Sequence, residues 1–135
     1  MHYMDYKTSD IPPPVYESAK ELWGVDFDKG TVFTYGSTIH SKTPLSDDLL
    51  AHELVHVRQQ TLIGRDEWWM KYFADPEFRL EQETEAYRAQ YKWFVNNLSA
   101  REGVAKTLVW LASLLSGEMY GKLITRSEAI KLISK

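Results

Sequence analysis

Apolar residues recur at helical spacing through most of the chain beyond residue 43, with polar residues between them. This period indicates amphipathic helices, and Asp75-Pro76-Glu77 and Gly64 are typical of a helix start and a helix end. The pattern predicts helices that begin at Thr43-Pro44 or Ser46-Asp47 and end at Gly64, then helices over residues 65–74, from 75 to about 98, over 104–115 and over 127–133.

The preceding segment combines a short helix with β-branched and aromatic runs. Residues 15–23 predict a helix that prolines begin and Gly24 ends. Turn signals at 28–30 and 36–37 separate three strand candidates, residues 25–27, 31–35 and 38–40. We therefore expect an α+β fold in which helix dominates, a single domain with a small antiparallel sheet before the main helices.

Size and charge narrow the function classes. The chain has 135 residues and a net charge of −3, so one domain is expected and a broad nucleic-acid surface is not. The absence of Cys excludes a thiolate nucleophile, a disulfide scaffold and a Cys-ligated metal.

The sequence shows no segment that targets or spans a membrane. Residues 1–7 lack a basic region followed by an apolar run, and we expect His2 to lie in a mobile terminus. Residues 104–115 are the longest apolar-rich stretch, shorter than the ~20 residues that a span needs. We expect a cytoplasmic protein in which residues 104–135 form a helical C-terminal extension of unassigned role, and nothing in the sequence indicates an oligomeric state.

The segment that carries chemistry is His52-Glu53-Leu54-Val55-His56, an H-E-x-x-H motif. Histidines four apart on a helix lie one above the other, so their imidazoles can converge on one metal ion. Glu53 is displaced by ~100° from His52, which places it beside the ion, where it can handle a water molecule. Leu50, Leu54 and Val57 form an apolar stripe on the other side of this helix.

A third ligand has to be an acid, because no His follows His56 and a catalytic zinc normally takes three protein ligands and a water. On the helix that Asp75 begins, Glu85 lies near Phe78, Gln82 and Ala89. Glu83 points nearly opposite and is expected to be solvated, while Glu81 borders the face of Glu85. Spacing alone leaves several acids open: Asp66, Glu67, Asp75, Glu77, Glu81, Glu83 and Glu85.

Two segments together resemble a known group of enzymes. His52-Glu-Leu-Val-His-Val-Arg-Gln-Gln60 and Glu83-Thr-Glu-Ala-Tyr87 are similar to the gluzincin zinc metallopeptidases, most of all their small minigluzincin-like forms. The resemblance covers residues 31–95. Tyr87 departs from it, since such chains often have Asp or Asn there.

This resemblance implies a zincin-like fold, one Zn²⁺ ion and hydrolysis of a peptide or protein substrate. It implies that His52, His56 and Glu85 are metal ligands and that Glu53 is the general base. In that family an edge strand binds the substrate, which corresponds here to residues 31–35 or 38–40. The competing hypothesis is a non-catalytic module that keeps zinc as a structural element, although a structural zinc has no need of a base such as Glu53.

The residue that stabilises the transition state is less defined. Tyr87, Arg88, His40 and Tyr35 are candidates, and each has an ordinary role in packing or on the surface as its alternative. The aromatic segment at residues 68–73 could line a substrate pocket, but aromatic residues at helical spacing more commonly form core, which is the expectation here.

Overall fold

A computed structural model describes residues 5–135, so His2 and most of the N-terminal segment considered above lie outside the described residues. The described chain is mostly helical and contains one small sheet. Its strands are β1 (Lys7–Ser9), β2 (Phe33–Tyr35) and β3 (Thr38–His40). Its α-helices are α1 (Tyr16–Trp23), α2 (Asp47–Ile63), α3 (Arg65–Ala74), α4 (Pro76–Asn97), α5 (Arg101–Leu115) and α6 (Arg126–Ile133).

The sheet is mixed rather than antiparallel. Its strand order is β1-β3-β2, with β3 antiparallel to β2 and parallel to β1, a strand that the sequence pattern did not predict. The strand expected over residues 25–27 is also wrong. There the Asp26 carboxylate accepts a hydrogen bond from the Asp28 amide and begins a 3₁₀ turn, Phe27–Lys29, while Phe27 is buried in the core.

The helices mostly follow the predicted signals. Gly24 ends α1 in the left-handed conformation, and Asp75 caps α4 by accepting from the amides of Glu77 and Phe78. The start of α6 differs, because Thr125 and not Ser127 is the N-cap. Thr125 and Glu128 form a capping box, in which each side chain bonds the backbone amide of the other.

Two apolar clusters form the core. The aromatic cluster comprises Ala19, Phe27, Phe33, Trp68, Trp69 and Tyr72, which confirms core packing for the aromatic residues of α3. The C-terminal cluster comprises Tyr87, Leu111, Ala112, Leu115, Tyr120, Ala129 and Ile133, so residues 104–135 pack onto α4 as part of the same body. Within residues 5–135, no helix is long and apolar enough to cross a membrane.

Candidate metal centre

Helices α2 and α4 pack side by side and bring two imidazoles and one carboxylate to a common point. Glu83 Oε1 lies 3.0 Å from the Nε2 atom of His52 and 3.0 Å from that of His56. The two Nε2 atoms are 3.2 Å apart. All three side chains are buried, and this trio is the cluster of potential metal-binding side chains found among the described residues.

These separations fit a tetrahedral metal ion. Zinc binds His nitrogen and carboxylate oxygen at ~2.0–2.2 Å, and two ligands of a tetrahedron with such bonds are about 3.3–3.6 Å apart. The 3.0–3.2 Å separations of the three ligand atoms are close to that edge length. The side chains therefore need little movement to accept an ion.

Two glutamine side chains fix the orientation of the imidazoles. Gln90 Oε1 lies 2.9 Å from His52 Nδ1, and Gln59 Oε1 lies 2.8 Å from His56 Nδ1. The amide nitrogen of Gln90 donates to the Asp48 carboxylate and that of Gln59 to the Gln82 carbonyl, so neither amide can be reversed. An amide oxygen only accepts, and each Nδ1 must therefore carry the hydrogen.

This assignment leaves the Nε2 lone pairs of His52 and His56 facing one another and the Glu83 carboxylate. Such a group of electron pairs needs a cation, either a metal ion or a proton. In the metal-free chain this cation is a proton on His56. Burial lowers the pKa of His56, but the charge of Glu83 and its hydrogen bond outweigh burial and raise the pKa to about 9. Burial likewise raises the pKa of Glu83, while the charge of His56 and hydrogen bonds from both imidazoles bring it well below its usual range.

Glu53 lies beside this cluster without joining it. Its Oε2 atom is 3.8 Å from His52 Nε2, and its Oε1 atom accepts a 2.9 Å hydrogen bond from the hydroxyl of Thr34 in β2. Burial raises the pKa of Glu53, and the nearby histidines and the Thr34 hydroxyl reduce that increase. A buried carboxylate with a raised pKa, next to a cation site, has the properties of a proton acceptor.

The second oxygen of Glu83 is held from α3. The Tyr72 hydroxyl donates to Glu83 Oε2 at 2.5 Å, which leaves Oε1 directed at the histidines. Burial raises the pKa of Tyr72, as does the charge of Glu83, so the phenol keeps its proton and remains a donor. The supporting roles of Tyr72, Thr34 and Gln90 were not predicted from the sequence, because the partner of each lies on another element. Gln59 is three residues from His56 on the same helix, so its spacing was a local signal that the sequence analysis did not use.

The third side chain of the trio is Glu83 and not Glu85, the residue that the family resemblance implied. The two residues are separated by about 200° around the α4 axis, so only one of them can face α2. Glu85 points outward with a 48% exposed side chain and forms a 2.6 Å ion pair with Arg58. Glu83, expected to be solvated, is only 5% exposed.

A signal for Glu83 was present in the sequence. The buried residues Arg79, Glu83, Ala86 and Gln90 follow one another at spacings of four, three and four along α4. This is the period of a packed helix face, but three of the four residues are polar and the stripe resembles a solvated surface. The stripe is polar because it faces the polar side of α2.

The remaining acids lie away from the cluster. Asp66 is paired with Arg65 at the protein surface, with 2.9 Å between its carboxylate and the guanidinium. Glu67, Asp75, Glu77 and Glu81 are also exposed.

Of the four candidates for transition-state contact, the structure brings only Tyr87 to the cluster. Its ring packs edge-to-face on His52 with 4.6 Å between the ring centres. Arg88 donates to the Leu132 carbonyl, His40 Nδ1 bonds the Ile11 carbonyl, and Tyr35 lies under the Arg65 guanidinium. These three side chains are outside the cleft described next.

The cluster opens into a cleft of about 540 Å³ between α2, α4, the approach to β2 and the C-terminal helices. Strand β3 lies in the middle of the sheet and has neighbours on both sides, so an added strand could pair only with an edge such as β2. The Thr34 carbonyl of β2 already accepts from the Gln60 amide and the Trp69 indole, which limits pairing at that residue.

In comparisons with known proteins, the chain matches no family model, no curated sequence and no solved structure.

Proposed function

We propose that the protein is a zinc-dependent peptidase in which His52, His56 and Glu83 hold the metal and Glu53 is the general base. One observation carries this proposal. Gln90 and Gln59 orient the two imidazoles so that the Nε2 lone pair of each histidine faces the Glu83 carboxylate. A second acid, Glu53, at the edge of this cluster and a cleft beside it are what a hydrolytic centre needs in addition.

A zinc ion in this position would lower the pKa of a coordinated water from 15.7 to about 7 and polarise the substrate carbonyl. The side chains of the chain supply the rest. Glu53 accepts a proton from the attacking water and delivers it to the amine nitrogen as the peptide bond breaks. The Thr34 hydroxyl holds one oxygen of Glu53, which leaves the other directed toward the His52 side.

Tyr72 has a positioning role in this mechanism. Its hydroxyl donates to Glu83 Oε2, so Glu83 would have one oxygen free to hold an ion. One-oxygen coordination with two imidazoles supplies three ligand atoms, and a tetrahedral ion then has one position for water or substrate.

A structural metal is the second candidate, and one observation favours it. The cluster is buried between the aromatic and C-terminal clusters, with Tyr72 of the first and Tyr87 of the second in contact with it. A metal at this point would join the two halves of the core. The hydrolytic function is preferred because Glu53 stays outside the trio and lines the cleft.

The two acids of α4 provide a matched test of the metal centre. Glu83→Gln should lower zinc affinity by about 100-fold or more, since loss of a ligand exceeds the 10–100-fold effect of its supporting partners. Glu85→Gln, two residues away, should leave affinity within about 2-fold, because the side chain is 48% exposed and a glutamine oxygen can still accept from Gln59 Nε2 as Glu85 does. Both affinities are measured by competition with a chelator, and equal effects of the two variants would contradict the assignment.

Glu53→Gln separates binding from catalysis. This variant should retain one equivalent of zinc and the wild-type fold, yet lose about 10²–10⁴-fold of its peptide hydrolysis. Hydrolysis is measured with quenched fluorescent peptides, with zinc content determined on the same sample. A variant that holds zinc and remains fully active would eliminate Glu53 as the base, and a zinc-loaded wild type that cleaves no peptide would favour the structural metal.

A further inference from the structure

The C-terminal helices contribute directly to the cleft at the metal centre. Helix α5 packs on α4 through the C-terminal cluster and places Trp110 and Leu114 on the cleft wall, followed by Met119 in the next turn. His52, His56 and Glu83 line the same cleft. Residues 104–135 therefore form part of the surface that any ligand of the centre must meet.

Two of these side chains have an apolar surface that residues 5–135 leave exposed. Trp110 is 50% exposed and Leu114 is 40% exposed, and a spacing of four puts both on one face of α5. Single exposed apolar residues are common on proteins, but these two lie in a concave site together with apolar side chains of other elements, Leu49 and Val32 among them. Ligand sites are mostly apolar clefts with a few placed polar groups.

Apart from the two histidines of the metal centre, the ionisable side chains with a net charge in the cleft are acidic. Within residues 5–135 no Lys or Arg lines it, whereas Asp48, Glu53 and Glu83 do. A carboxylate or phosphate of a ligand would be desolvated in this cleft without a cationic side chain as partner, which is unfavourable. The cleft therefore disfavours an acidic side chain and also the terminal carboxylate of a peptide.

From this combination we infer that the cleft takes a stretch of peptide away from its free C-terminus and seats a large uncharged apolar side chain against Trp110 and Leu114. The inference rests on the proposed peptidase function and adds a substrate class to it. It also assigns a role to the C-terminal extension, that of a specificity wall. The described residues that line the cleft include no Lys or Arg to hold a terminal carboxylate, so we expect the cleaved bond to lie away from a free C-terminus.

The test measures binding and cleavage separately. Binding of fluorescent peptides to zinc-loaded Glu53→Gln is followed by anisotropy, and cleavage of the same peptides by wild type is followed by product analysis. The peptides are blocked at both ends and differ at one position, which is Leu, Phe, Asp or Lys. We expect the Leu and Phe peptides to bind and react at least about 10-fold better than the Asp peptide.

Variants on α5 test whether Trp110 and Leu114 form the specificity wall. In the Glu53→Gln background, Trp110→Ala and Leu114→Ala should each weaken binding of the Leu and Phe peptides by about 10-fold. Val109→Ala is the matched control, since Val109 is 44% exposed on the same helix but does not line the cleft. It should change binding by less than about 2-fold. Zinc content and helical content report whether each variant has folded, and Trp110→Phe should retain most of the binding.

The outcomes distinguish this inference from the function on which it rests. If wild type cleaves peptides but the Asp peptide reacts as well as the Leu peptide, or if Val109→Ala and Trp110→Ala have equal effects, the specificity wall is wrong and the peptidase stands. If the α5 variants weaken binding as expected but wild type cleaves no bound peptide, the binding site stands and the peptidase does not.

Discussion

The two apolar clusters differ in how they meet the metal centre between them. The aromatic cluster packs the Trp68 ring on His56, with 5.4 Å between ring centres, and also reaches the centre through hydrogen-bond donors: the Tyr72 hydroxyl on Glu83, and the Trp69 indole on the carbonyl of Thr34, whose hydroxyl holds Glu53. The C-terminal cluster meets it through a ring edge, that of Tyr87 against His52, and the hydroxyls of Tyr87 and Tyr120 face each other at 3.3 Å. One cluster therefore orients the carboxylates, whereas the other fills space and shapes the cleft.

The strongest test of this difference removes a buried side chain from each cluster. Trp68→Ala should lower the free energy of unfolding by about 3–5 kcal/mol and Leu111→Ala by about 2–5 kcal/mol, as measured by denaturant titration of the zinc-free protein. Trp68 stacks on Tyr72 at 4.7 Å between ring centres, so only its loss should also weaken zinc binding by the folded protein. Equal losses of zinc affinity in both variants would mean that the clusters do not differ in this way.

A smaller effect is expected from one hydroxyl of the aromatic cluster. Tyr72→Phe removes the donor to Glu83 Oε2 and leaves a buried carboxylate oxygen without that bond. Zinc affinity should fall by about 10-fold, the lower end for the partners of metal ligands, while the aromatic packing is retained. Chelator competition measures the affinity, and an unchanged value would show that Glu83 is oriented by α4 alone.

The smallest effect is expected from the corresponding change in the C-terminal cluster. Tyr87→Phe keeps the ring against His52 and removes only the hydroxyl that faces Tyr120. It should reduce the free energy of unfolding by about 1 kcal/mol and alter zinc affinity by less than about 2-fold. Calorimetric unfolding measures the free energy of unfolding, and chelator competition measures the zinc affinity. A large loss of zinc affinity would reveal a polar role for this cluster.

Local signals were sufficient where the structure depends on neighbours in sequence. Gly64 ends α2 and Asp75 begins α4, as their residue types predict. The two histidines share a helix face because they are four residues apart. The same local reasoning failed at residues 25–27, where extended propensity was overridden by the Asp26 cap and by burial of Phe27 in the aromatic cluster.

Choosing Glu83 rather than Glu85 as the acid beside the histidines required information that the sequence of one helix does not contain. Which face of α4 is buried depends on how α4 crosses α2. The stripe that contains Arg79, Glu83 and Gln90 is as polar as a solvent-exposed helix face, so its burial cannot be predicted from composition. Tertiary packing reverses that expectation, because the polar groups of α4 pair with those of α2. The support of His52 by Gln90 joins residues 38 positions apart and is decided by the same crossing.

The glutamines that hold the two imidazoles have a consequence for which ion the centre prefers. Their amides are neutral, so orienting His52 and His56 adds no charge to the buried interior. The carboxylates of Glu53 and Glu83 then contribute one negative charge each when ionised. A doubly charged cation brings this sum to zero, whereas a monovalent ion leaves a net negative charge and a trivalent ion a net positive one, each costly in a medium of low polarity.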